Sequence, residues 1–252
     1  YFSNPYRSFC LWSDFNSDPL YIGYSALGMH KLAVSLWLIN NCKKAGNKKL
    51  HFLARDGFTV QNSFQKLSKL FNLNIESNYL YLSRKSLIPA LINQWEDLFH
   101  LSNYINVDNL SPLELLNVVL RVPKEKIDFS FLIQNGVIPD KSFGSWHNYI
   151  FFVNKIKDHS FYFSYLANYN ELLAEYLEQI DNKDGIFDIG YNGTTQSIFS
   201  KFNKLTDGYY IHTNHDKPYN LGKDFGFSLK TFYDYAPAIS GHVREYLFSK
   251  TE

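Results

Sequence analysis

KLHFLARDGFTVQNSFQKLSKLF, residues 49–71, sets an apolar run, a polar turn and an amphipathic segment in direct succession. Leu50–Ala54 has the length and apolarity of a buried strand, and Val60, Phe64, Leu67 and Leu70/Phe71 recur at helical spacing. Arg55, Asp56 and Gly57 form the turn between them. A second apolar run, Tyr79–Ser83, follows after about one helix length and also ends in a polar cluster, SRKS. Strands spaced by helices predict a parallel sheet, in which connections are right-handed and ligands sit beyond the C-terminal ends of the strands.

The same pattern returns in DGIFDIGYNGTTQSIFSKF, residues 184–202, and further strands are expected at Asp207–Thr213 and in LKTFYDY, residues 229–235. Ahead of the first strand, Leu27, Lys31, Val34, Leu38 and Cys42 mark a helix from Tyr24 to about Ala45, which AGNKK stops with Gly46 and Asn47. Residues 87–180 break the strand rhythm. They hold a capping box, Ser111 to Glu114, with Pro112 at the first helical position, and helical stretches at Trp146–Ile156 and Ser160–Ile180. Residues 1–22 read as an irregular lead-in, and AISGHVREYLFSK at the end as a last helix or strand. The expectation is an α/β fold, a parallel sheet flanked by helices, as a single catalytic domain over residues 1–252 with a helical insertion or hood at 87–180.

Composition narrows the function classes. At 252 residues and 45% hydrophobic the chain can bury a sizeable core. Its net charge of +1 gives no pull toward nucleic acid, so any anion it binds is met by local groups. Cys10 and Cys42 fall in no metal or redox spacing, which fits a reduced cytoplasmic compartment. The most apolar run, Leu32–Asn40, is too short to span a bilayer. With Tyr1 first and Met29 the only methionine, the expectation is a piece of a longer polypeptide. Aromatic residues make up 18%, a content suited to a packed core and also to clefts that stack sugars.

Both polar turns follow a strand and open a helix. In the second, glycine permits close backbone approach, and the successive N–H groups of Tyr191, Asn192, Gly193, Thr194 and Thr195 at a helix start form an anion cradle with two hydroxyls. That chemistry fits a phosphate monoester. Asp188, ending the strand, stands close enough to accept from sugar hydroxyls or to help hold Mg²⁺. In the first turn, Arg55 with the backbone of Asp56 and Gly57 can meet further phosphate, as can Ser83, Arg84 and Lys85 after the neighbouring strand.

The apolar strand, acid, spacer and Gly-Thr-Thr resemble the type I phosphoribosyltransferases, whose signature of acids followed by T-G-x-T grips the ribose 5-phosphate of phosphoribosyl pyrophosphate. Asp188 matches the second acid, Asn192 the first Thr, Gly193 the Gly and Thr195 the last Thr, while Phe187 replaces the first acid. Tyr191 stands where purine enzymes carry an acid facing the base, which implies an acceptor other than a purine. Over residues 21–249, GYSALGMHKLAVSLWL, FLARDGFTVQ, YLYLSRKSL, DIGYNGTTQ and REYLFS resemble a bacterial polysaccharide-assembly module. That module is often fused behind a haloacid dehalogenase-type phosphatase, and is often described as a predicted hydrolase of that superfamily. It is similar to the glycan phosphoribosyltransferases. The resemblance implies phosphoribosyl pyrophosphate with Mg²⁺ as donor and a lipid-linked O-antigen or capsule glycan as acceptor. It also implies a phosphatase that removes the 5-phosphate, and a cytoplasmic site of action at the inner face of the inner membrane. The residue chemistry itself assigns the roles: Asp56 is a candidate general base because its turn is next to the reacting centre, Asp188 faces the ribose or a metal-bound water, and Arg55, Gly57, Ser83, Arg84 and Lys85 face the pyrophosphate. His212, His242 and Arg244 are candidates for the acceptor side.

Two other readings remain. FLARDGFTV superficially matches the strand and nucleophile of haloacid dehalogenase phosphatases, with Asp56 as nucleophile. That chemistry needs a second carboxylate two residues on, where Phe58 stands. The third reading is a non-catalytic glycan- or phosphate-binding scaffold.

Overall fold

A computed structural model describes residues 27–54, 57–157, 160–190, 193–213 and 217–233. The lead-in, the tail with His242 and Arg244, Cys10, and four turn residues, Arg55, Asp56, Tyr191 and Asn192, lie outside the described residues. The chain divides into two compact units, one of Tyr1–Tyr81, Asp181–Gln196 and Leu205–Glu252, the other of Leu82–Ile180 and Ser197–Lys204.

The first unit carries a five-stranded parallel sheet: β1 (Lys49–Leu53), β2 (Glu76–Leu80), β3 (Gly185–Asp188), β4 (Asp207–Tyr210) and β5 (Ser228–Thr231), in the order β2-β1-β3-β4-β5. Helix α1 (Met29–Ala45) ends where Gly46 turns left-handed at φ 75 and returns its N–H to Cys42 and Lys43 carbonyls, with Lys43 and Lys44 in the last turn. Helix α2 (Gly57–Leu70) follows β1. Val34, Leu38 and Cys42 of α1 and Val60 and Phe64 of α2 pack with Leu50, Phe52, Phe187 and Tyr209 in one buried cluster, so both helices cover the same sheet face. Helices α8 (Thr194–Lys201) and α9 (Lys217–Phe225) follow β3 and β4.

Strand β2 lies three residues earlier than the apolar run suggests. Its ladder is set by β1, from Lys49 with Glu76 to Leu53 with Leu80, and the Ala54 N–H to the Leu80 carbonyl closes it. Tyr81 lies past the end of this ladder, 80% exposed, with its ring edge-on to Tyr79 at 5.0 Å. Helix α9 was not legible, because Gly222 interrupts its pattern. That glycine serves a close approach, since a Cβ there would meet the Phe227 carbonyl oxygen at 2.8 Å.

On the sheet face opposite Phe52, His51 Nε2 lies 2.8 Å from Asp184 Oδ2, while its Nδ1 is buried with no hydrogen-bond partner. The partners assign Nε2–H as donor and leave Nδ1 bare. Burial holds the imidazole below its ordinary value even though the carboxylate opposes it. The unfolded chain takes up this proton near pH 6.5 and the folded one only lower, so the stability is full above about 6.5 and falls as pH drops toward the folded value. We expect the melting temperature to decline from about pH 7 to about pH 5.5, with a shallower slope in His51→Gln. Thermal melts of both proteins across that range check this, and parallel slopes would assign the acid sensitivity elsewhere.

The second unit is helical. It contains α3 (Arg84–Leu87), α4 (Pro112–Glu114), α5 (Phe129–Gln134), α6 (Trp146–Ile156) and α7 (Ser164–Leu177), with 3-10 segments such as Trp95–Asn103. The capping box expected at Ser111 is formed, with the Ser111 hydroxyl accepting from the Glu114 N–H and the Glu114 carboxylate from the Ser111 N–H. Tyr149 is fully buried, and its hydroxyl donates to the Leu98 carbonyl at 2.7 Å.

Candidate functional site at the sheet switch point

Because β1 lies between β2 and β3, the chain leaves it for one side of the sheet and returns on the other. The turns after β1 and β3 therefore part in opposite directions at one sheet edge, the place where open α/β sheets bind ligands. Phe52 pairs with Phe187, which sets Asp188 level with Leu53 at the start of both turns.

Gly57 opens α2 directly over β1. An added Cβ would lie 2.8 Å from the Cβ of Phe52 and 3.0 Å from its carbonyl carbon, so no other residue lets the helix start this close to the strand. In the second turn, a Cβ on Gly190 would lie 2.6 Å from Asp188 Oδ2. The carboxylate thus folds back over its own turn, where it is half-buried and already has a partner. Its charge reaches Tyr210: burial first, then Asp188, holds that phenol far above its ordinary value. Gly193 adopts φ 67 and delivers the chain into α8. Thr194 and Thr195 are buried, at 7% and 9% exposed, and Thr194 already has a partner. Backbone N–H groups in the first turn of a helix are the donors that bind an anion at such a turn.

Gln196, which the sequence reading did not single out, holds this turn in place. Its Oε1 accepts from the Tyr210 hydroxyl at 2.9 Å, and its Nε2 donates to the carbonyls of Thr206 at 2.8 Å and Ser228 at 3.1 Å. The start of α8 is thereby tied to β4 and β5. A signal for it existed in Gly208, since a glycine inside a strand pattern marks a close approach.

Gly57, Asp188, Gly193, Thr194 and Thr195 thus belong to the first unit and stand on the switch-point turns. Ser83, Arg84 and Lys85 belong to the second unit. There Ser83 works as a cap, its Oγ accepting from the Ser86 N–H at 3.3 Å, while Ser86 Oγ accepts from the Ser83 N–H at 2.9 Å and donates to the Ser83 carbonyl at 2.8 Å. Lys85 is exposed. His212 is buried, at 1% exposed, and has a partner. The Phe58 ring meets Tyr79 edge-on at 5.8 Å and is committed to packing. Among the described residues no group of three or more His, Cys, Asp or Glu could form a metal cage, and no helix is long and apolar enough to cross a membrane.

Neither a scan against protein-family models nor a search of curated proteins finds a match for this chain.

Proposed function

We propose that the chain transfers ribofuranose 5-phosphate from phosphoribosyl pyrophosphate to a sugar hydroxyl of a growing bacterial surface glycan. The observation that carries this reading is the pair of strand-turn-helix units on adjacent parallel strands, one running from a strand that ends in Asp188 through Gly193 into a helix that begins with Thr194 and Thr195. The finer fold assignment, a type I phosphoribosyltransferase-like sheet, belongs to the same proposal and rests on the sequence resemblance together with the parallel sheet.

In this reading the backbone from Tyr191 to Thr195 holds the 5-phosphate, and Asp188 accepts from the ribose hydroxyls. Arg55 and the backbone of Gly57 face the pyrophosphate, for which the sequence also offers Ser83, Arg84 and Lys85. The acceptor oxygen bonds to the anomeric carbon as the bond to pyrophosphate breaks, and the electron pair leaves with pyrophosphate. The hydroxyl proton passes to Asp56 or to water. Attack from the opposite face inverts the carbon and gives a β-linked product. The transition state is oxocarbenium-like, so a fixed negative charge near the ribose and fixed donors on the leaving group lower the barrier. Mg²⁺, when bound, neutralises charge on the departing diphosphate. A lone carboxylate suits such an ion when phosphate oxygens supply most of its ligands, and Asp188 is the residue that would hold it, through water.

The phosphatase reading lacks its second carboxylate, since Phe58 stands at that position and packs on Tyr79. Incubation with phosphoribosyl pyrophosphate and Mg²⁺, with and without a lipid-linked glycan fraction, separates the readings. We expect pyrophosphate release that requires the acceptor. Phosphate release from simple esters would replace the proposal with the phosphatase, and binding without turnover would replace it with the scaffold.

A further inference from the structure

We infer that Arg121, with Lys85, forms a diphosphate-binding element of the second unit. The choice of ligand rests on the transferase reading above; the cationic element itself stands on four observations.

The first is backbone strain. Arg121 adopts φ 59, a left-handed conformation that a long side chain rarely takes. It lies two residues past the end of a π-helical segment, Leu115–Val119, whose wide turn is closed by the Leu120 N–H to the Leu115 carbonyl. The second is the surroundings of the guanidinium. Its carbon lies 4.2 Å from the centroid of the Tyr169 ring, and Nη2 donates to the Tyr169 hydroxyl at 3.1 Å and, more weakly, to the Lys85 carbonyl at 3.4 Å. These partners are a π face and neutral oxygens.

The third is the missing countercharge. Arg121 is half-buried, its Nε is buried with no hydrogen-bond partner, and no carboxylate among the described residues lies within ion-pair distance. A part-buried guanidinium with no carboxylate beside it keeps its charge for an anion from solution. The fourth is the neighbour. Lys85 is exposed on α3, and the same helix is braced by the Tyr169 hydroxyl donating to the Ser86 carbonyl at 2.5 Å. A guanidinium held on an aromatic ring, with Nη2 spent on the Tyr169 and Lys85 oxygens and Nη1 left for a ligand, suits a compact polyanion to which the exposed Lys85 adds charge.

A purely structural Arg121 would only brace the Lys85 and Ser86 carbonyls. Titrating inorganic pyrophosphate with Mg²⁺ by calorimetry, with ribose 5-phosphate as a second ligand, tells the two apart. Arg121→Met should weaken pyrophosphate at least about tenfold and flatten its salt dependence, and leave ribose 5-phosphate within about twofold. Arg121→Lys should lose about three- to tenfold, and Tyr169→Phe, which removes the hydroxyl brace but keeps the ring, about threefold or less. Lys85→Met, at an exposed position, should lose about threefold and gives a reading even if the Arg121 variants fold poorly. Unchanged pyrophosphate affinity in Arg121→Met overturns the inference, as does an equal loss for both ligands with a lowered melting temperature. Wild-type protein that releases pyrophosphate in the transfer assay but shows no Arg121 dependence leaves the transferase reading standing alone. Arg121-dependent pyrophosphate binding without any transfer does the reverse.

Discussion

Gly208→Ala is expected to remove about 3–5 kcal/mol of folding stability, enough to unfold a marginal protein. An ideal Cβ at this position would lie 2.1 Å from Gln196 Oε1, 2.7 Å from its Cδ and 2.7 Å from Tyr210 Cε2. Both neighbours are fully buried. Gln196 cannot swing aside without giving up the hydrogen bonds that satisfy the Tyr210 hydroxyl and the Thr206 and Ser228 carbonyls. The substitution therefore joins overpacking to the loss of hydrogen bonds that have no water to replace them. Gln196→Ala alone leaves the same polar groups unpaired and should cost about 2–4 kcal/mol. The double variant makes room for the new methyl group, so its cost should fall well below the sum of the two. Urea denaturation of all four proteins measures the cycle. Additive losses would mean that the clash is not with Gln196.

The periodicities that carried the sequence reading are local, and so were its successes. Apolar runs of strand length and stripes of helical spacing located β1, β3, β4, α1, α2 and α6, because their own residues decide them. Where partners decide, sequence alone misled: β2 is shifted toward Glu76 because the β1 ladder ends at Leu53. The glycines of the switch point were legible as turn residues, but their steric reasons, Phe52 beneath Gly57 and the Asp188 carboxylate against Gly190, needed coordinates. Gln196 and Arg121 were invisible for the same reason. Tyr210 and Thr206 come together with Gln196 only through the fold, and Arg121 meets Lys85 and Tyr169 from 36 and 48 residues away. A left-handed arginine also has no sequence signature, whereas the left-handed glycines Gly46 and Gly193 do.

Under the proposed transferase function, Asp188→Asn is expected to lower acceptor-dependent pyrophosphate release by about 10²–10³-fold, with a smaller change in affinity for phosphoribosyl pyrophosphate. The asymmetry follows from where the charge is needed. Ground-state ribose hydroxyls donate to an amide oxygen nearly as well as to a carboxylate, so donor binding is largely kept. As the bond to pyrophosphate breaks, positive charge grows on the ring, and a fixed negative charge becomes worth more in the transition state than before it. Asp188 is half-buried against Gly190, and the Asn side chain occupies the same space, so the folded state should survive. Melting temperature checks that directly. Asp188→Glu keeps the charge but needs space for a longer side chain; it should recover part of the rate if charge matters more than placement. Single-turnover rates together with donor affinity separate the two effects. A loss confined to donor affinity, with the single-turnover rate intact, would make Asp188 a ribose-binding residue only, and full activity in Asp188→Asn would remove it from the site altogether.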